Sequence, residues 1–245
     1  MVTLIRLLST IKEASKKYGI GYVIKKGAYV WIYLNYYKIF RRGKTFTFRD
    51  KKHHYVYHIY NNTWTNERAV EISLALDLIK KYKGKKILEI GNVISNYFNI
   101  PHDIVDKYEK GYNVINEDVV DFHSNEKYDL IVGISTLEHV GWDETPRDEK
   151  KIPRTIENLK KLLNPESGLM FVTLPIGYNT VLDKLLRDGI IKFHEQYYLR
   201  RISKNNEWKE ASWEDVQDAK FGKPFPGANG LVVGIIQGQD YSKNA

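Results

Sequence analysis

From residue 86 onward the sequence alternates short apolar runs with stretches of helical periodicity, and this constrains the fold more than any other feature of the chain. Apolar runs at 86–90, 103–106, 114–117, 130–134 and 169–174 predict strands. Residues 153–163 and 180–187 predict helices. An ordered stretch at 197–203, a short helix at 213–220 and an apolar strand at 231–237 complete the pattern. Strands alternating with helices imply an α/β domain with a mostly parallel sheet covered on both faces.

The first 64 residues differ in character and are expected to form an N-terminal helical arm plus a hairpin, with the α/β domain over 65–245. Leu4, Leu7, Leu8, Ile11, Ala14 and Tyr18 recur at three- and four-residue spacing, predicting an amphipathic helix ended by Gly19 and Gly21. A second helix is expected over 22–40. Alternation at 45–49 and 55–60, around a polar turn at 50–52, predicts a hairpin. Thr65 is the expected N-cap of a helix that runs to Tyr82 and stops at Gly84.

Charge divides the chain the same way. Residues 1–60 carry 13 Lys and Arg against only Glu13 and Asp50, a surplus of +11, so the remainder is −3 in a chain of net charge +8. A nucleic-acid enzyme would carry its positive charge on the catalytic half, so no nucleic-acid partner is expected. A basic, aromatic-rich arm suits an anionic membrane surface instead. The competing expectation is that its helices fold onto the domain as a lid, and this one is favoured because the second helix is apolar over most of its circumference. The most apolar run, 28–40, includes Asn35 and Lys38 and falls short of the ~20 residues needed to span a bilayer. With no cysteine and no secretory signal, the expected location is cytoplasmic, with a peripheral membrane association.

Glu89-Ile90-Gly91 closes the first buried strand with an acid and a glycine. Ligands of open parallel sheets sit at such carboxyl ends, and glycine lets them approach the backbone. Asp106 closes the second strand, Asp118-Val119 follows the third, and the fourth runs through Ile134-Ser135-Thr136-Leu137-Glu138-His139-Val140. Together these segments resemble the class I S-adenosylmethionine (SAM) methyltransferases over about residues 65–237. Asn66-Glu67-Arg68, the run from Leu137 to Trp142 and the stretch from Pro226 to Gly230 resemble a subgroup of polysaccharide and cell-surface biosynthesis.

The resemblance implies a Rossmann-like fold with a seven-stranded sheet, SAM as cofactor, and methyl transfer to a small-molecule or glycan acceptor, including a lipid-linked one. It implies a cofactor site made of Glu89, Gly91, Asn92, Asp106, Asp118, Val119 and Ser135. Asp106 would take the ribose hydroxyls and Asp118 the adenine amino group. The sequence departs from the family where Val93 and Ser95 replace the second and third glycines of the first motif. It also leaves only residues 107–113 between the second and third strands, too few for the usual crossover helix. The lost glycines support an alternative, a non-catalytic module that docks a partner or membrane through its arm. A nicotinamide site would need Gly-x-Gly-x-x-Gly, of which only Gly91 is present.

His139 is the expected general base, lying just past the fourth strand and titrating near neutrality. Arg68 could clamp a carboxylate or phosphate, with an ion pair to Glu67 or Glu71 as the alternative. Trp64 and Trp142 could stack on the acceptor, with burial in the core as the alternative. No spacing of His, Asp and Glu resembles a metal site, so none is expected.

Overall fold

The runs at 87–90 and 130–134 have no polar face to leave in water, so they lie side by side as the central strands of one sheet. In a computed structural model, described over residues 12–238 except Ala14 and Tyr112, β3 (Ile87–Ile90) and β6 (Leu130–Ile134) are buried at every position. Around them lie β4 (Asp103–Val105), β5 (Val114–Ile115) and β7 (Leu169–Pro175), all parallel. β8 (Glu195–Arg201), β9 (Trp208–Ala211) and β10 (Gly230–Gln237) complete the order β5-β4-β3-β6-β7-β10-β8-β9. β10 is antiparallel to both β7 and β8, and β9 to β8. The sheet therefore has eight strands, not the expected seven. The extra one is β9, whose Trp208-Lys209-Glu210-Ala211 buries only its tryptophan and is too polar to read as a strand.

Side chains of β6 alternate between two cores. Ile131 joins Leu88 and Ile90 against α3 (Lys151–Leu162) and α4 (Thr180–Arg187). Leu130, Val132 and Ile134 face α2 (Arg68–Lys81), whose Val70, Ile72 and Leu74 fill the other core. No helix joins β4 to β5, as the short connection requires. β3 and β4 are linked only by a 3-10 turn at Ile94–Asn96. A further one-turn helix, α5 (Trp213–Val216), carries a capping box between Ser212 and Asp215.

The hairpin is shorter than its alternation implied. β1 (Thr45–Phe48) pairs with β2 (Lys51–His54) across Arg49-Asp50, both left-handed at φ 51° and 59°. A two-residue turn of this hand matches strand twist and puts the polar Lys51-Lys52-His53-His54 in the second strand. Tyr55 leaves the ladder for the core with Phe46 and Phe48, and residues 60–65 form a 3-10 turn. The following helix starts at Arg68 rather than beside Thr65, because the Asn66 side chain accepts the Arg68 N–H.

Of the first expected helix, residues 12, 13 and 15–18 are helical up to Gly19; Leu4, Leu7, Leu8, Ile11 and Ala14 lie outside the described residues. The second is α1 (Ile20–Phe40), and here the expected packing does not occur. Only Tyr37 is buried, against Tyr57 and Trp64, while Ile24, Trp31 and Phe40 are at least 66% exposed. No α1 residue lines the cavities described below.

Asn206 fastens the β8–β9 turn to the segment preceding α2. Its buried amide donates to Thr63 O and Asn66 O and accepts the Trp208 indole N–H. Asn206→Ala strands these groups and puts alanine at φ 58°. The expected loss is about 1–3 kcal/mol or more, read by urea denaturation; an unchanged midpoint would refute this role.

Candidate active site

The strand order reverses between β3 and β6, and at their carboxyl ends the connecting loops part. The fold is Rossmann-like. A cavity of about 290 Å³ opens there, with a floor of Ile90, Gly91 and Val105 and walls from the loops after β4, β5 and β6. Gly91 has φ 78°, and a Cβ on it would stand 2.5 Å from Thr136 Oγ1. Only glycine fits there.

The altered glycine loop is held from below by an acid. Glu89, 1% exposed, does not line the cavity. Its Oε1 accepts the N–H groups of Val93 and Ile94, and its Oε2 pairs with His102 Nε2 at 2.7 Å. Asp106 does the same from the side: Oδ2 takes Asn92 N–H, and Oδ1 takes Tyr108 and Glu109 N–H. With roughly four lone-pair sites, an ionised carboxylate so engaged keeps one open. The Asn92 amide donates to Glu109 and accepts from Ser95. Glu117, also lining the cavity, has no partner for its carboxylate among the described residues.

Asp118 sits in a charged layer unforeseen in the sequence. Lys107 Nζ lies 2.8 Å and Lys151 Nζ 2.5 Å from its Oδ2, and both lysines also reach Glu144. Burial works against the Asp118 charge, but the two lysines outweigh it and hold the carboxyl below its usual range. Lys151 lies 17 residues beyond the end of the fourth parallel strand at Ile134 and carries no motif, so nothing local marked it.

Ser135, at the end of β6, is left-handed at φ 38°. Its hydroxyl donates to Glu71 Oε1 at 2.5 Å, and its N–H goes to Thr173. Such strain in a non-glycine residue survives only where surrounding bonds fix it, and it clusters at functional sites. Arg68 completes that fixing, with one guanidinium nitrogen on Glu71 and Ile134 O and the other near Ser135 O. Of the two expected ion-pair partners, Glu71 is the one in contact.

A second cavity, about 360 Å³, adjoins the first; Arg68, Ser135 and His139 line both. His139 lies in the 3-10 turn Leu137–His139, with Nδ1 2.5 Å from Asp143 Oδ2. The Tyr178 hydroxyl donates to the same Asp143 oxygen at 2.7 Å. Burial opposes the Asp143 charge, but its bonds with His139 and Tyr178 hold the carboxyl below its usual range.

Gly91, Asn92, Asp106, Asp118, Val119, Ser135, Arg68 and His139 thus converge on the first cavity, and Glu89 supports it from beneath. Trp64 is 2% exposed and lies in neither cavity wall, packed near Tyr37. Trp142 is capped by the Arg147 guanidinium, 4.0 Å from its ring centroid, and also lines neither cavity.

No protein-family model matches this sequence, and no curated protein matches it. Among solved structures, the chain is similar to the N-methyltransferase NodS from Bradyrhizobium japonicum WM9 in complex with S-adenosyl-L-homocysteine. That similarity has 14% identity and a TM-score of 0.44, covering 69% of this chain and 86% of that one. An S-adenosylmethionine-dependent methyltransferase from Clostridium acetobutylicum ATCC 824 is similar at 10% identity and TM-score 0.39, over 87% of this chain and all (100%) of that one. The sugar N-methyltransferase KedS8 from Streptoalloteichus sp ATCC 53650 is similar at 12% identity and TM-score 0.36, over 80% and 98%.

Gly91→Ala should destabilise the protein by more than the about 1–2 kcal/mol of a left-handed alanine, because the Thr136 clash adds to it. Thr136→Gly in the same chain should recover only the clash. Additive effects in this double-mutant cycle, measured by chemical denaturation, would contradict the contact.

Proposed function

We propose that this chain is a SAM-dependent methyltransferase that binds its cofactor in the first cavity and transfers methyl to a small-molecule or glycan acceptor. The observation that carries this reading is the junction of the two cavities at Arg68, Ser135 and His139, at the switch point of a doubly wound sheet. The residues present fit the cofactor. Val105, Val119 and Val140 offer an apolar slot for a purine, and the open Asp106 site and Glu117 can accept ribose hydroxyls. Arg68 keeps donors for a carboxylate, and Gly91 lets the ligand approach the backbone. When bound, the cofactor supplies an electrophilic methyl on a sulfonium.

His139 is placed to move the acceptor's proton. Asp143 accepts at Nδ1, which fixes the tautomer with Nε2 as the open acceptor. A second reading, a non-catalytic module, is favoured by one observation. The Val93 and Ile94 amides, free for a ligand in a glycine loop, are already bonded to Glu89.

Calorimetry with S-adenosyl-L-homocysteine separates the two readings. The wild type and His139→Ala should bind with affinities within about twofold of each other, while Asp106→Ala should lose about 1.5–3 kcal/mol, tenfold or more in affinity. No binding by the wild-type protein would leave the non-catalytic module standing.

The arm holds the enzyme at an anionic lipid surface. α1 is a helix of 21 residues, about 31 Å long, with Tyr22, Tyr29, Trp31 and Tyr36 exposed and Lys25, Lys26 and Lys38 among them. Interfacial aromatics and lysines attracted to anionic headgroups suit a helix lying in the membrane plane. No helix among the described residues is long and apolar enough to cross a membrane. The protein should co-sediment with phosphatidylserine vesicles, less so as salt rises, and Lys25→Glu/Lys26→Glu should weaken this severalfold. Equal pelleting with neutral vesicles, or none, would end the idea.

A further inference from the structure

The second cavity has an electrostatic character of its own. Its walls contain Glu67 and Glu138 and no lysine, and its single cation, Arg68, is enclosed by carboxylates. Glu138 is 1% exposed. Its Oε1 stands 3.6 Å from His139 Nε2, and its Oε2 has no hydrogen-bond partner among the described residues. A buried carboxyl oxygen without a partner is costly, and a native structure retains one chiefly where something else comes to satisfy it.

The groups facing Glu138 come from three elements: Arg68, Glu67 and Glu71 on and just before α2, His139 in its own turn, and Tyr178 after β7. Burial raises the Glu138 carboxyl well above its usual range; Arg68 pulls the other way, and Glu71 and Glu67 add to the rise. Arg201 acts on Glu67 from behind the same wall, but no donor reaches the Glu138 Oε2. An ammonium would supply one; an anionic acceptor would not.

The remaining wall suits a hydroxylated frame. Tyr178 and Phe221 meet edge to face at 5.2 Å as an aromatic side, and Asn61, Thr65 and Asn66 bring amides and a hydroxyl. We propose that this cavity takes an acceptor bearing a protonatable amine on a sugar-sized, hydroxylated frame, with its ammonium against the unpartnered Glu138 oxygen. The proposal rests on the methyltransferase reading for the word acceptor, but the binding site stands or falls separately. Burial holds the Glu138 carboxyl above its usual range, and an ammonium docked beside it pulls the other way, so binding the amine is linked to proton release.

The test is calorimetric titration of glucosamine and of glucose at about pH 6, in two buffers of different ionisation heat, with and without S-adenosyl-L-homocysteine. Glucosamine should bind at least about tenfold more tightly than glucose and release protons on binding, which glucose should not. Glu138→Gln should remove both the preference and the proton release, and leave S-adenosyl-L-homocysteine affinity unchanged. Equal affinities, a proton count near zero in the wild type, a preference that survives in Glu138→Gln, or no binding of either hexose would each overturn the proposal. Failure of S-adenosyl-L-homocysteine to bind is read separately and overturns only the cofactor assignment. The wild-type proton count needs no variant, so a Glu138→Gln protein that misfolds does not spare the proposal.

Discussion

Arg68 is the residue around which the site is assembled. Its side chain is 13% exposed and ties the start of α2 to the end of β6 through Glu71, Ile134 O and Ser135 O. Burial opposes its charge, but Glu71, Glu67 and Glu138 together outweigh that. Removing one partner of a buried pair typically costs about 3–5 kcal/mol, because the other charge is left uncompensated. Here the same bonds also hold Ser135 left-handed, and that turn sends the chain between the two cavities toward His139. The wall between the two cavities thus depends on one guanidinium.

The loop after β3 shows a different solution to a backbone problem. A loop with several glycines can turn tightly and offer free N–H groups to a ligand. This loop keeps only Gly91, and it turns tightly because two acids hold its amides: Glu89 from below, Asp106 from the side. The lost crossover helix after β4 is linked to this, since Asp106 also captures the Tyr108 and Glu109 amides and folds that short connection against the cavity. Glu89 and Asp106 are thus in large part structural here, and Glu117 and Glu109 are further carboxylates in the cavity lining.

Electrostatics also separates the two spaces. Beside the first cavity, Lys107 and Lys151 neutralise Asp118 and Glu144 in a compact layer. Beside the second, Glu67, Glu71 and Glu138 surround Arg68. The two cavities therefore differ in their charged surroundings, and α1 lines neither.

The sequence by itself determined the α/β class, the parallel centre of the sheet and eight of the eighteen residues lining the first cavity. Those depend on local signals: continuous apolar runs that cannot face water, and an acid or glycine at the end of a strand. It also foretold the missing helix after β4, because seven residues cannot hold one. Only the tertiary structure decided what each polar group faces. Trp64 went to the core, Glu89 to the loop amides, and Lys151, 33 residues from Asp118, came to pair with it. β9 and the β2 register followed from pairing with neighbours rather than from their own polar sequence. The arm departed from its pattern for the same reason: α1 has the composition of a buried helix, but among the described residues only Tyr37 finds a surface to cover. Periodicity reports what a segment would bury; whether a partner stands opposite is a property of the whole fold.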